Sequence, residues 1–240
     1  MLCLYKTIDW TNLNRIILIC AYRSWALEIF ESLNNNEKLK ENFDFILVKD
    51  HHTLIKLITS LGNIDIIICI GWSWLVPGEI TEKYFVCGLH PSNLPEFAGG
   101  SPIQNQILNG IVDSKLTLFK FTNEIDCGPI ISKADLSLEG HIDAIFERLA
   151  KIGLNIIIEF LVQYPFYKLT VVTQPTTIWK RIKPEQSKMN SEDFLNLPLR
   201  EIYNFIRCRE DPYPNAFIED ETGRLEFKVV DFFPKNFNTN

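Results

Sequence analysis

Two residues have the types and setting to move a proton, His90 and Asp126. His90 stands where the apolar run Phe85 to Leu89 meets Pro91 and Ser92, so its imidazole is expected at a strand end and not in mid-core. Strand ends are where α/β proteins keep their chemistry. Asp126 follows a second apolar run, Leu116 to Phe121, in a loop of turn formers that includes Asn123, Gly128 and Pro129. Two adjacent parallel strands would bring their carboxyl ends together, and His90 and Asp126 with them. A carboxylate beside an imidazole fixes its tautomer and readies it to accept a proton. Cys127, next to Asp126, reads either as a nucleophile or as a packed neighbour of the loop, and packing is the preferred reading.

The elements that must position this pair can be read from hydrophobic period. Arg15 to Ala21 is a continuous apolar run rich in β-branched residues, as expected of a strand covered on both faces. A helix follows, with Ser24 as N-cap and Ala26, Leu27, Phe30 and Leu33 at helical spacing. Then come a strand over Phe45–Val48, a helix over Leu54–Leu61, a strand over Asp65–Ile70 and a helix over Pro77–Tyr84. The strand Phe85–Leu89 leads to His90, and Pro102 opens a helix to Leu108. Strands over Ser114–Phe121 and Ile130–Leu136 precede a long helix, His141–Tyr164. Strands alternating with helices give the fold class: α/β, a Rossmann-like, doubly wound, mostly parallel sheet.

Between the elements lie segments that chemistry could use. Trp72 and Trp74 in the turn Gly71–Pro77 read either as core packing or as a flat wall at the sheet's carboxyl edge. The Gly99-Gly100 bend must let backbone approach something closely or turn with positive φ. Trp179-Lys180-Arg181-Ile182-Lys183-Pro184-Glu185 is a basic, aromatic-led stretch, which as a charge run reads as a solvated loop. After the connector Pro165–Pro175 come a helix over Leu199–Cys208 and a hairpin pairing Phe217–Glu219 with Leu225–Val230 around Glu221-Thr222-Gly223. This sets residues 1–175 apart as a catalytic domain and 176–240 as a small appendage. His51 and His52 follow a strand end but carry no partner signal, and His141 reads as a solvated helix start.

Composition narrows the function classes. The chain has 240 residues, 46% hydrophobic and 22% charged, with a net charge of −6. That acidic balance disfavours a phosphate backbone as the main partner, whereas a small anion needs only a local basic pocket. No apolar run reaches the roughly 20 residues that span a bilayer. The N-terminal ten residues lack a basic region followed by an apolar one, so no signal peptide is read and a cytoplasmic location is expected. Six cysteines form no C-x-x-C pair, which reads as reduced thiols and no metal site.

His90-Pro91-Ser92, Leu94-Pro95, the glycine bend, Ser101-Pro102-Ile103-Gln104 and Ile125-Asp126-x-Gly128 together resemble the signature of the folate-dependent formyltransferases. These transfer a formyl group from 10-formyltetrahydrofolate to an amine. The later Trp179–Glu185 stretch, the helix and Pro212-Tyr213-Pro214-Asn215-Ala216-Phe217 resemble the sugar N-formyltransferases, nearest the group that acts on dTDP-4-amino-4,6-dideoxyglucose. The resemblance covers nearly the whole chain and is strongest over 85–131 and 179–217.

The resemblance implies His90 and Asp126 as catalytic residues, with Trp72, Ser73, Trp74, Leu75, Glu124, Ile125 and Asp126 around the folate. Gly100, Ser101, Gln104, Lys180, Arg181 and Lys183 would meet a dTDP-sugar substrate. Where the family carries an Asn two residues before the His, this sequence has Gly88. The oxyanion donor must then be His90 itself, a backbone N–H freed by Gly88, a water, or the amide of Asn93 or Asn105. Methionyl-tRNA formyltransferases share the first region but continue into a β-barrel domain, and with the chain stopping at Asn240 no nucleic-acid partner is expected. The implied product would feed a bacterial surface polysaccharide such as the O-antigen of lipopolysaccharide, made by a homodimer paired through the apolar hairpin. No membrane partner and no metal are implied. Two alternatives stay open: a non-catalytic homologue that binds sugar nucleotide or folate, and a formyltransferase for another amine.

Overall fold

A computed structural model describes residues 14–171 and 174–235. The N-terminal ten residues, Cys3, residues 172–173 of the connector and residues 236–240 lie outside the described residues. The chain divides into two compact units, Met1–Cys87 and Gly88–Asn240. Six strands form one sheet in the order β2-β1-β3-β4-β5-β6, mostly parallel with an antiparallel edge, and two more form a separate hairpin.

The first unit holds β1 (Arg15–Cys20), α1 (Ser24–Asn34), α2 (Glu37–Lys40), β2 (Phe43–Val48), α3 (His51–Ser60), β3 (Ile66–Ile70) and α4 (Gly78–Lys83). β1 pairs in parallel with β2 and β3. Every residue of β3 is buried, as its unbroken Ile-Ile-Ile-Cys-Ile run requires of a strand covered on both faces. Each fully buried isoleucine contributes roughly 1.5 to 3 kcal/mol. Two helix starts differ from the sequence reading. α1 begins at Ser24 with Arg23 as its N-cap residue and no side-chain cap, so Ser24 lies inside the first turn. α3 begins three residues early because Asp50 caps it, accepting from the Thr53 N–H at 2.8 Å, and His51 and His52 fall in its first turn.

β4 (Phe85–His90) leads into the second unit, which continues with α5 (Pro102–Leu108), β5 (Asp113–Lys120), β6 (Ile130–Ser137) and α6 (Ile142–Gln163). β5 and β6 are antiparallel, with an irregularity at Leu118/Phe119. α6 buries Ile142, Ile145, Leu149, Ile156, Ile157 and Phe160, an apolar stripe at helical spacing. A 3-10 turn (Pro184–Ser187), α7 (Ser191–Asn196), α8 (Leu199–Arg207) and the hairpin β7 (Ala216–Glu219) and β8 (Arg224–Phe227) complete it. A small core joins Met189, Ile202, Ile206 and Ala216, with Phe194 stacked on Phe227. α7 has no buried residue and so leaves no apolar period to read in the sequence.

Candidate active site

His90 is the last residue of β4 and is 7% exposed. Its Nδ1 lies 3.5 Å from Asp126 Oδ2. Its Nε2 lies 3.0 Å from the carbonyl oxygen of Phe97. A carbonyl only accepts, so in this arrangement Nε2 carries the proton and Nδ1 presents its lone pair on the Asp126 side. The tautomer is thus set by a backbone oxygen, while Asp126 stands beside the nitrogen that would gain a proton. Asp126 is itself fixed: Oδ2 accepts from the Gly99 N–H at 2.7 Å, and the residue sits at φ 54°, a left-handed conformation that Asp tolerates better than most.

The loop between His90 and α5 is tied down at nearly every step. Gln106 Nε2 donates to the Pro91 carbonyl at 2.7 Å, and Ser114 donates to Gln106 Oε1. Thr117 donates to the Ser92 carbonyl at 2.7 Å, and Ser92 donates to the Glu96 carbonyl at 2.6 Å. Lys133 Nζ reaches Asn93 Oδ1 at 2.7 Å and the Leu94 carbonyl at 2.6 Å. Gln106, Ser114 and Thr117 are buried, and each pays its desolvation with these bonds.

The basic segment is strapped to the glycine bend. Trp179 N–H donates to the Ala98 carbonyl at 2.8 Å, and Gly100 N–H donates to the Trp179 carbonyl at 2.7 Å. Trp179 stacks on Phe97 with ring centroids 5.0 Å apart. Ile182 N–H donates to Ser101 Oγ at 3.1 Å. A Cβ on Gly100 would meet Arg181 N at 2.4 Å, which is why the bend needs glycine there. Lys180, Arg181 and Lys183 are exposed beside this strap. Gln104, by contrast, is buried and donates to the Cys208 carbonyl at 3.1 Å.

Of the oxyanion-donor candidates, the Asn105 amide nitrogen is engaged elsewhere, while Asn93 is held through its acceptor oxygen. Asn105 Nδ2 donates to the Gly100 carbonyl at 2.8 Å, and Asn93 Oδ1 is held by Lys133. Cys127 Sγ donates to the Ile125 carbonyl at 3.0 Å, and burial, then Glu124 and Asp126, push its thiol up. It therefore stays a thiol and is a poor nucleophile. Glu124 and Ile125 are exposed on the same loop.

In the first unit, Trp72, Trp74 and Tyr22 form a ring cluster, with centroids 4.7 Å apart for the tryptophans and 4.9 Å for Tyr22 and Trp74. Tyr22 and Ser73 hydroxyls are 2.6 Å apart, and Arg23 donates to the Gly71 carbonyl and to Ser73 Oγ. Trp74 is 42% and Leu75 71% exposed, and Trp72 Nε1 is a buried donor with no acceptor. An exposed aromatic and apolar face beside an unused donor fits a flat heteroaromatic ligand.

Among the described residues no cluster of ligating side chains could hold a metal, and no helix is long and apolar enough to cross a membrane.

Residues 49–161 match the formyl transferase family model. A solved methionyl-tRNA formyltransferase from Clostridium thermocellum is 32% identical, superposes with a TM-score of 0.78, and is aligned over 92% of this chain and 94% of its own. The chain belongs to the formyl transferase family. A methionyl-tRNA formyltransferase of Streptococcus pyogenes is 30% identical over 216 residues, 88% of this chain. The chain spans 64% of that relative's length. A sugar N-formyltransferase from Shewanella sp. FDAARGOS_354 is 16% identical and shares the fold, with a TM-score of 0.72 over 92% of this chain and 99% of its own.

Proposed function

We propose that this formyl transferase moves the formyl group of 10-formyltetrahydrofolate to the 4-amino group of a dTDP-4-amino-4,6-dideoxyhexose, the gluco form being the favoured substrate. The observation that carries this reading is the strap. It sets a stacked aromatic pair, Phe97 and Trp179, and the exposed cations Lys180, Arg181 and Lys183 against the bend whose Gly99 holds Asp126. An aromatic face beside several cations is what a nucleoside diphosphate asks for, since guanidinium and ammonium groups make charge-assisted bonds to phosphate oxygens. The folate's ring system would take the Trp72–Leu75 face.

In this reading the neutral amine nitrogen attacks the formyl carbon, forming a C–N bond. Its proton passes to His90 Nδ1, where the Asp126 carboxylate stabilises the imidazolium. Collapse of the tetrahedral intermediate breaks the bond to the folate nitrogen, which takes the proton back as it leaves. With the Asn105 amide nitrogen engaged and Gly88 lacking a side chain, the oxyanion falls to the imidazolium, to the Asn93 amide nitrogen, or to backbone or water donors. Residues 1–175 would form the catalytic domain and 176–240 the substrate-holding and pairing appendage of a cytoplasmic homodimer, supplying sugars for O-antigen or a similar surface polysaccharide.

Methionyl-tRNA is the competing acceptor, favoured by the relatives that are 30% or more identical to this chain over the aligned residues. The net charge of −6 favours the small anionic substrate. Competition binding separates the two: dTDP should displace a fluorescent dTDP-sugar more strongly than UDP or GDP. Absence of any nucleotide preference, with retention of an initiator tRNA at physiological salt, would overturn the sugar-nucleotide reading.

A further inference from the structure

The loop that follows His90 carries an oxygen that touches His90 Nε2, the carbonyl of Phe97. Phe97 has φ 52°, a left-handed conformation that a bulky aromatic residue does not choose unaided. Something outside the loop has to hold it there. The tethers from β5 and α5, Thr117 to Ser92 and Gln106 to Pro91, fix only the first two residues after His90. The far end is held by Trp179, stacked on Phe97 and donating to the Ala98 carbonyl, and Ser92 holds the Glu96 carbonyl; the stretch between, Asn93 and Leu94, is fixed by a charge. Lys133 Nζ, on β6, binds Asn93 Oδ1 and the Leu94 carbonyl at 2.7 and 2.6 Å, and these are charge-assisted bonds. Leu94 and Ala98, on either side of Phe97, are packed with Phe119 and Ile130. Burial holds the Lys133 ammonium below the ordinary lysine range, with Glu96 opposing that effect and Lys115 adding to it.

We propose that Lys133 is a positioning residue: by pinning Asn93 and Leu94 it keeps the Phe97 carbonyl on His90 Nε2, and so makes Nδ1 the nitrogen that accepts a proton. Without the pin, the loop relaxes Phe97 toward ordinary backbone angles and Nε2 loses its acceptor. The imidazole proton then moves to Nδ1, where Asp126 Oδ2 at 3.5 Å can draw in to accept it. The lone pair needed for catalysis is then on the wrong side of the ring. The consequence for turnover rests on the formyl-transfer reading above; the consequence for the ring does not.

The test is two-bond 1H–15N correlation of 15N-histidine-labelled protein at pH 8.5, with the His90 signals assigned by their loss in His90→Gln. Wild type should show the pattern of a ring protonated at Nε2. Lys133→Met should show a substantial shift toward the Nδ1-protonated pattern, Lys133→Arg should restore most of the wild-type pattern, and kcat should fall about tenfold in the Met variant with KM for both substrates within twofold. Asn93→Ala, which removes one of the two contacts and leaves the Leu94 carbonyl, should shift the pattern partway and serves if Lys133→Met does not fold. An unchanged His90 pattern in the folded Met variant, or in Asn93→Ala where the Met variant does not fold, overturns the proposal. A changed ring pattern in a protein with no formyl-transfer activity at all supports the positioning role and removes the formyl-transfer reading instead.

Discussion

Asp126→Asn isolates one charge from the geometry around it. Asn tolerates the left-handed backbone that Asp126 adopts at φ 54°, and its side-chain oxygen can still accept the Gly99 N–H now bound at 2.7 Å. What disappears is the negative charge 3.5 Å from His90 Nδ1. Both side chains are largely sheltered, at 8% and 17% exposure, so solvent screening is weak. With effective dielectric constants between about 20 and 40, that separation makes the carboxylate worth roughly 2 to 5 kcal/mol to an imidazolium. If the imidazolium forms in the transition state and is absent from the ground state, this translates to a fall in kcat of roughly 30-fold to a few thousandfold. Single-turnover formyl transfer, followed by mass, would measure it, with the loss falling on the rate of the chemical step. The Tm should move by less than about 4 °C, since the hydrogen bond to Gly99 survives. A kcat within threefold of wild type would refute the proton-transfer role assigned to the pair.

Three further outcomes follow from other parts of the molecule. Gly100→Ala places a methyl 2.4 Å from Arg181 N, so the strap must move at a cost of about 1 to 3 kcal/mol, and KM for the sugar nucleotide should rise several-fold while KM for folate stays put; equal rises would count against the strap as the sugar-nucleotide site. His141 lies between Glu210 (2.7 Å) and Asp231 (3.3 Å), and its hydrogen bond to Glu210 raises its pKa; the stability it adds is complete below about pH 6.5 and is lost as pH rises through that raised value, so the Tm gap between wild type and His141→Asn should narrow from pH 6 to pH 9, and a constant gap would contradict it. Leu225, Val229 and Phe233 remain 59%, 63% and 84% exposed on and after the hairpin, so sedimentation should find a dimer at micromolar concentration that Phe233→Glu weakens; a wild-type monomer would refute pairing there.

The sequence made the pair visible because His90 and Asp126 are marked by residue type and by flanking turn formers. It could not show what sets the His90 tautomer, because the Phe97 carbonyl and the Gly99 N–H are backbone groups that every residue owns and only the folded loop aims. Lys133 was invisible for a related reason: one lysine on an edge strand looks like a solvated charge until the strand places it under a loop forty residues away. The same blindness turned His141 from a solvated helix start into a bridge between two acids 69 and 90 residues downstream. Gln104 and Gln106 differ by two positions and look alike in sequence, yet one braces α8 and the other braces the loop after His90. The sheet, by contrast, was legible nearly to the residue, since β1 and β3 are apolar on both faces and their neighbours alternate with amphipathic helices.

The central claim is formyl transfer to a nucleotide-linked amino sugar, and its most direct test is the mass of the product. Purified protein would be incubated with 10-formyltetrahydrofolate and dTDP-4-amino-4,6-dideoxyglucose, with methionyl-tRNA in a parallel reaction and His90→Ala and Asp126→Ala beside both. The account predicts that the sugar nucleotide gains one formyl group, that both variants abolish the gain, and that the tRNA is left unmodified. Formylation of the tRNA alone, or binding of both small ligands without any product, would contradict it.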